Sequence, residues 1–270
     1  MTTSTQHRPF AVVTGASSGI GFELARQFAK NGFDLLIAAE NPEIATAARL
    51  LTDEEQADVR PVRIDLSTYD GVEELYSAIV TNARPVDAIA LNAGVGHGGD
   101  FTTGTQLEKE LNIIDLNVTS TVHLAKRVLP DMVQRGEGKV LFTSSIAATM
   151  PGSFQAVYNA SKSFVQSFAD AIRNELKDTG VTVTSLMPGP TDTNFFDRAG
   201  MRDTKVGAGE KDDPAEVAAQ GFKALMEGDD HVVAGSVKNK MQVLAGKVLP
   251  DSMKAQMHRD MAEPGSAQRE

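Results

Sequence analysis

The chain of 270 residues contains no cysteine. That absence excludes disulfides, thiol nucleophiles, cysteine-bound zinc and iron–sulfur ligation together, and it fits a reducing compartment. Tryptophan is absent too, and tyrosine occurs only at positions 69, 76 and 158. No apolar run approaches the ~20 residues that a bilayer-spanning helix needs. The polar stretch Met1–Pro9 lacks the hydrophobic core of a secretory signal. The expectation is a cytoplasmic protein with no membrane partner. His7, His97, His123, His231 and His258 show no spacing of the His-Glu-x-x-His kind, so no metal is expected. Basic residues are also scarce. The chain has 26 Lys and Arg against 36 Asp and Glu, a net charge of −10. Such a field does not draw nucleic acid, although a local pocket of backbone N–H groups can still hold a phosphate.

What is present is an alternation. Apolar, β-branched runs at 10–14, 33–39, 59–64, 86–91, 139–143 and 181–187 predict strands, with a short last one at 231–233. Helical patterns lie between them at 22–30, 42–51, 69–81, 105–134, 155–178 and 213–227. Near-continuous apolar strands separated by helices indicate a Rossmann-type, doubly wound parallel α/β sheet covered on both faces. Ligands in such folds bind beyond the carboxyl ends of the strands. The length and the 41% of hydrophobic residues suit one domain, 1–260, with a disordered tail at 261–270. The segment 190–212 has no clear period and reads as a lid. Met253, Met257 and Met261 recur every four residues. They mark either a helix face packed on the body or another subunit, or a substrate or membrane contact.

The string Thr14-Gly15-Ala16-Ser17-Ser18-Gly19-Ile20-Gly21 follows the first strand and opens the first helix. Glycines there allow a sharp turn, close approach of a pyrophosphate and tight helix packing, while the helix N-terminus offers free N–H groups. A glycine-rich turn also occurs for purely structural reasons, but this placement points to a dinucleotide. Asp65-Leu66 closes the third strand; Asp65 either bonds an adenine amino group or caps a helix. Glu40 ends the second strand, where a carboxylate accepts from a ribose hydroxyl and repels a 2′-phosphate. Neither Ser17 nor Ser18 supplies a cation, so NAD is expected over NADP.

Of the three tyrosines only Tyr158 has a lysine, Lys162, four residues on. On a helix the two share a face, and a neighbouring ammonium favours the phenolate over the usual pKa of ~10. Ser145 lies just past the strand at 139–143, placed to bond a substrate oxygen as charge develops on it. No Gly-x-Ser-x-Gly elbow surrounds Ser145, so a hydrolase triad there is not expected. Asn117 sits inside a predicted helix, where asparagine is unfavourable; it marks a kink, a buried backbone bond or a function. His97 either borders the pocket or lies in solvent. Met150, Phe154, Phe195 and Phe196 are either pocket wall or plain core.

Together these motifs resemble the short-chain dehydrogenase/reductase family. The match runs through Thr14–Gly21, Asp65, Asn92-Ala93-Gly94, Asn117, Ser144-Ser145, Tyr158-x-x-x-Lys162 and Pro188-Gly189, over roughly residues 9–195. It departs where Leu91 stands in place of a frequent asparagine. The resemblance implies that Tyr158 donates or accepts the proton and that Lys162 holds the nicotinamide ribose and lowers the Tyr158 pKa. It implies that Ser145 orients the substrate oxygen and that Asn117 holds a relay water. Asn92, Ala93 and Gly94 are expected to line the cofactor, with Pro188, Gly189, Thr191 and Thr193 against its nicotinamide end. The implied reaction is hydride transfer between NAD or NADP and a ketone or secondary alcohol, by a homodimer or homotetramer. A non-catalytic nucleotide sensor, a C=C reductase and an epimerase remain alternatives.

Overall fold

The computed structural model describes residues 8–246 and 249–268. Among them, seven strands form one parallel sheet: β1 (Phe10–Thr14), β2 (Asp34–Ala39), β3 (Val59–Arg63), β4 (Ala88–Leu91), β5 (Gly138–Thr143), β6 (Val181–Pro188) and β7 (His231–Ala234). Their spatial order is β3-β2-β1-β4-β5-β6-β7. The order reverses between β1 and β4, the place where a doubly wound sheet opens a crevice. Pro61 sits in β3, and β3 is an edge strand, where a missing N–H is tolerated.

Successive residues of β1 feed opposite cores. Ala11 and Val13 pack with helices α1 (Gly19–Lys30), α2 (Ile44–Glu55) and α9 (Pro214–Glu227). Phe10 and Val12 pack with α3 (Tyr69–Thr81), α5 (Ser120–Arg135) and α6 (Ala156–Leu176). The remaining helices are α4 (Leu107–Ile114), the single turns α7 (Phe195–Arg198) and α8 (Lys205–Ala208), α10 (Val237–Gly246) and α11 (Asp251–Ala262). Helix ends follow local chemistry: Thr68 caps α3 by accepting from the Gly71 N–H, and Asp213 with Pro214 starts α9.

Two expectations change, and the segment read as a lid gains a fixed base. The helix predicted over 105–134 is broken by a π-turn at Asp115–Thr119, which carries Asn117. The aperiodic lid is ordered and pinned at its base: Thr191 bridges Asp212, and the Asp212 N–H donates to the Pro190 carbonyl at 2.8 Å. The tail expected to be disordered from Met261 instead completes α11, buries Ala262 and Ser266, and forms a turn at Ser266–Gln268. Its anchors are apolar and polar: Ala262 joins a small third core with Phe196, Ala199 and Met201, and the Gly265 N–H donates to Asp203 Oδ2 at 2.7 Å. Residues 269–270 lie outside the described ones.

Candidate active site

Above the carboxyl ends of β1, β4, β5 and β6 lies a cavity of about 1640 Å³ including its open side. One end is built from backbone. Gly15 and Gly19 have φ of +68° and +56°, conformations that glycine adopts without strain. A Cβ on Gly15 would come within 2.9 Å of the Ala93 Cα, and one on Gly21 would meet the Gly15 carbonyl. Thr14 locks this turn to the next strand. Its Oγ1 donates to the Ala90 carbonyl and accepts from the Asn92 and Ala93 N–H groups, each at 3.0 Å. Asn92 Nδ2 donates back to the Thr14 carbonyl at 3.1 Å. The first turn of α1 has no acidic residue and no side-chain cap, so its N–H groups face the cavity uncontested. Gly15–Gly19 also reads as Gly-x-Ser-x-Gly, but Ser17 Oγ donates to Asn41 Oδ1, and His258, the one histidine among the described lining residues, bonds the Ser153 carbonyl.

Ser17, Ser18, Gly19, Ile20, Gly21, Glu40, Asp65, Leu66, Asn92, Ala93, Gly94, Pro188, Gly189, Thr191 and Thr193 all border this cavity. Glu40 is exposed at its rim, while Arg63 donates to the Glu40 backbone carbonyl at 3.0 Å. Asp65 does not cap a helix; its Oδ1 accepts from the Ser67 N–H and hydroxyl, and Thr68 is the cap. The glycine cradle, the free helix N-terminus and the rim carboxylate together fit a dinucleotide.

At the other end Ser145, Tyr158 and Lys162 meet. Ser145 follows β5 and caps a 3₁₀ turn at Ile146–Thr149; its Oγ accepts from the Ala147 N–H at 3.1 Å and donates to the Pro188 carbonyl at 3.4 Å. Lys162 is buried, and its Nζ donates to the Thr143 carbonyl at 2.9 Å. It lies 5.9 Å from the Tyr158 ring centroid. Burial pushes Lys162 down to about 8. Burial also pushes Tyr158 up to about 12, against a smaller downward pull from its hydrogen bond with Ser145. This reverses the sign expected from the i, i+4 spacing. Desolvation of the phenolate outweighs the lysine, whose ammonium is turned toward Thr143 and is itself disfavoured by burial.

Asn117 does not line the cavity. It sits behind the wall, 1% exposed, with its amide bonded on both sides: Oδ1 accepts from the Val95 N–H, and Nδ2 donates to the Val95 carbonyl and Ser161 Oγ, all at 2.9 Å. A Cβ on Gly94 would fall 3.1 Å from Asn117 Oδ1 and 3.3 Å from Lys162 Nζ, so Asn117 fixes the strip between them. Both amide hydrogens are used, and Oδ1 keeps one acceptor position. Both structural readings of Asn117 apply, the kink and the buried backbone bond.

The cap supplies the remaining wall. Phe195 packs on the Tyr158 ring at 5.2 Å between centroids and on Phe196 at 5.4 Å. Met150, Phe195 and Phe196 line the cavity, whereas Phe154 lies outside the lining, beneath Arg259. Sequence reasoning missed Gln242, His258, Met261 and Ala262, which line it from α10 and α11. Only the methionine periodicity of α11 hinted at them. His97 is half-buried but lies outside the lining, and burial lowers its pKa.

Comparison with known proteins gives a consistent result. Residues 9–203 match the family model described as short chain dehydrogenase. An uncharacterized oxidoreductase of Staphylococcus saprophyticus is 32% identical over 80% of this chain and 91% of its own. A putative ketoacyl reductase of Streptomyces coelicolor is 34% identical over 70% of this chain and 73% of its own. Among solved structures, a short-chain dehydrogenase from Sphingobium yanoikuyae in complex with NADPH superposes with a TM-score of 0.79 at 27% identity, covering 88% of this chain and 93% of that one.

Proposed function

The chain belongs to the short-chain dehydrogenase family, and we propose that it transfers hydride between a nicotinamide dinucleotide and a ketone or secondary alcohol. The observation that carries this reading is the convergence of Ser145, Tyr158 and Lys162 in the cavity that the glycine cradle also borders. The bound dinucleotide supplies or accepts the hydride. Residues Gly15 to Gly21 hold its pyrophosphate through backbone N–H groups. Asp65 and Leu66 face its adenine. Asn92, Ala93, Gly94 and Lys162 hold its nicotinamide ribose, and Pro188, Gly189, Thr191 and Thr193 flank the nicotinamide. Glu40 favours NAD over NADP, because its exposed carboxylate accepts from hydroxyls and repels a second phosphate.

In reduction, Ser145 donates a hydrogen bond to the substrate oxygen and Tyr158 gives it a proton. A phenol held at about 12 keeps that proton at neutral pH, which suits it as an acid. The Lys162 ammonium then stabilises the phenolate left behind. Asn117 acts at one remove, holding Val95 and Ser161 beside this centre. The wall of Met150, Phe195, Phe196, Val206, Met261 and Ala262 selects an apolar carbonyl compound. The Streptomyces relative described as a ketoacyl reductase supports a ketone.

The chain works as a homo-oligomer, paired through α4 and α6. Leu107, Leu111 and Ile114 on α4 and Phe164 on α6 are exposed, beside a shallow groove lined by Phe101, Val118, Val157 and Ala160. No described helix is long and apolar enough to cross a membrane, and the lack of cysteine suits the cytoplasm.

Tyr158→Phe tests the reading. Acid–base catalysis is worth about 10²–10⁴-fold, so kcat should fall by that factor while cofactor Kd, measured by fluorescence titration, holds. A variant retaining more than about a tenth of wild-type kcat would refute the role of Tyr158.

A further inference from the structure

Two helices beyond the family match, α10 and α11, turn large apolar side chains to water. Val237, Met241 and Leu244 are 71%, 67% and 67% exposed. Their spacing of four and three places them on one stripe of α10. The opposite face of that helix is anchored: Asn239 is buried and donates to Asp212 and to the Ala234 carbonyl, and Gln242 borders the cavity. Helix α11 is built the same way. Met253 and Met257 are exposed, while His258 and Ala262 face inward and His258 bonds the Ser153 carbonyl. The methionine stripe is therefore split: Met253 and Met257 face water, while Met261 lines the cavity.

The charge here runs against the rest of the chain. Residues 237–262 hold five Lys and Arg against two Asp and Glu, in a protein of net charge −10. Lys238 and Lys240 are exposed, flank the α10 stripe and have no partner among the described residues. Lys254 is paired with Asp251, Arg259 with Glu263, and Asp260 accepts from Gln256. The free charge beside the stripe is thus mainly positive.

We propose that α10 and α11 form a docking face for an anionic lipid surface. An apolar helical stripe flanked by lysines lies in the plane of a membrane interface, with its side chains among the acyl chains and its ammonium groups at the anionic headgroups. The acidity of the whole chain does not oppose this, because salt confines each field to about 8–10 Å. A second copy fits the face less well. A two-fold contact over the α10 stripe would bring the unpaired Lys238 and Lys240 of both copies into one interface, whereas the α4–α6 surface offers apolar side chains for that purpose. Because both helices also border the cavity, docking would bring its apolar wall beside the bilayer. The proposal does not depend on the reaction assigned above.

Co-sedimentation of the full-length protein tests it. Vesicles of phosphatidylcholine with about 30 mol% phosphatidylserine should bind the protein, and vesicles of phosphatidylcholine alone should bind at least about tenfold more weakly. The Met241→Ser/Leu244→Ser and Lys238→Gln/Lys240→Gln pairs should each weaken binding at least about tenfold, with Tm unchanged. The lysine pair keeps the test decisive if the apolar pair fails to fold. Absence of wild-type binding to the anionic vesicles would overturn the proposal, as would lysine-pair binding equal to wild type. A drop in oligomer mass on light scattering, caused by either pair without vesicles, would assign the face to a second copy and overturn it as well.

Discussion

Around β1 to β5 the cavity is walled largely by main chain: the Gly15–Gly21 turn, the Asn92–Gly94 strip and the start of α1. Beyond β6 it is walled by side chains: Phe195 and Phe196 from α7, Val206 from α8, Gln242 from α10, Met261 and Ala262 from α11. On the proposed reading the first region would recognise features shared by every dinucleotide, and it has no space for a Cβ at Gly15, Gly19 or Gly21. The second is assembled from four short or terminal helices whose side chains can change without disturbing the sheet. On that reading the first region would hold the cofactor and the second the substrate.

The contrast breaks most sharply at Gly21. An alanine there places its Cβ on the Gly15 carbonyl. We expect Gly21→Ala to raise cofactor Kd by at least about tenfold and to cost about 1–3 kcal/mol in stability, read by titration and denaturant unfolding. Normal cofactor affinity would show that the backbone cradle is looser than described. A pH profile examines the junction of the two regions. Lys162, pushed down to about 8 by burial, is charged below that pH and neutral above it. In the free enzyme kcat/KM for reduction should therefore be flat below about pH 8 and fall about tenfold per unit above it. The limb should move to higher pH in Lys162→Arg.

Smaller effects are expected at the edges. Glu40→Arg should shift the ratio of kcat/KM for NAD and NADP toward NADP by about tenfold, roughly 1.4 kcal/mol. A wild-type preference of tenfold or more for NADP would contradict the reading of Glu40. Met261→Ala should change KM by less than about tenfold and unequally across ketones of different length, with cofactor Kd unchanged. An equal effect on every ketone would remove Met261 from the substrate wall.

Much of the first region was legible in the sequence because its signals are local. A strand, a glycine turn and a helix start are neighbours in the chain, and Tyr158 and Lys162 share a helix face by spacing alone. Other features depended on contacts between distant residues. Asn117 reads as an anomaly within a helix, but its partners Val95 and Ser161 are 22 and 44 residues away. Asp65 looks like a cap until Thr68 is seen to take that place three residues on. The sign of the Tyr158 shift was misread for a related reason, since spacing reports that two groups are close and says nothing of how much water the fold removes from them.

By itself the sequence determined the doubly wound sheet, the cradle and the identity of the residues that converge at Tyr158, because hydrophobic periodicity, glycine chemistry and helical spacing act over a few residues. Only the tertiary structure decided that Asn117 stands behind the wall, that burial governs Tyr158 and Lys162, and that α10 and α11 close one side of the cavity while exposing apolar stripes on the other. Those outcomes depend on which surfaces exclude water when distant segments pack together, and no local pattern carries that information.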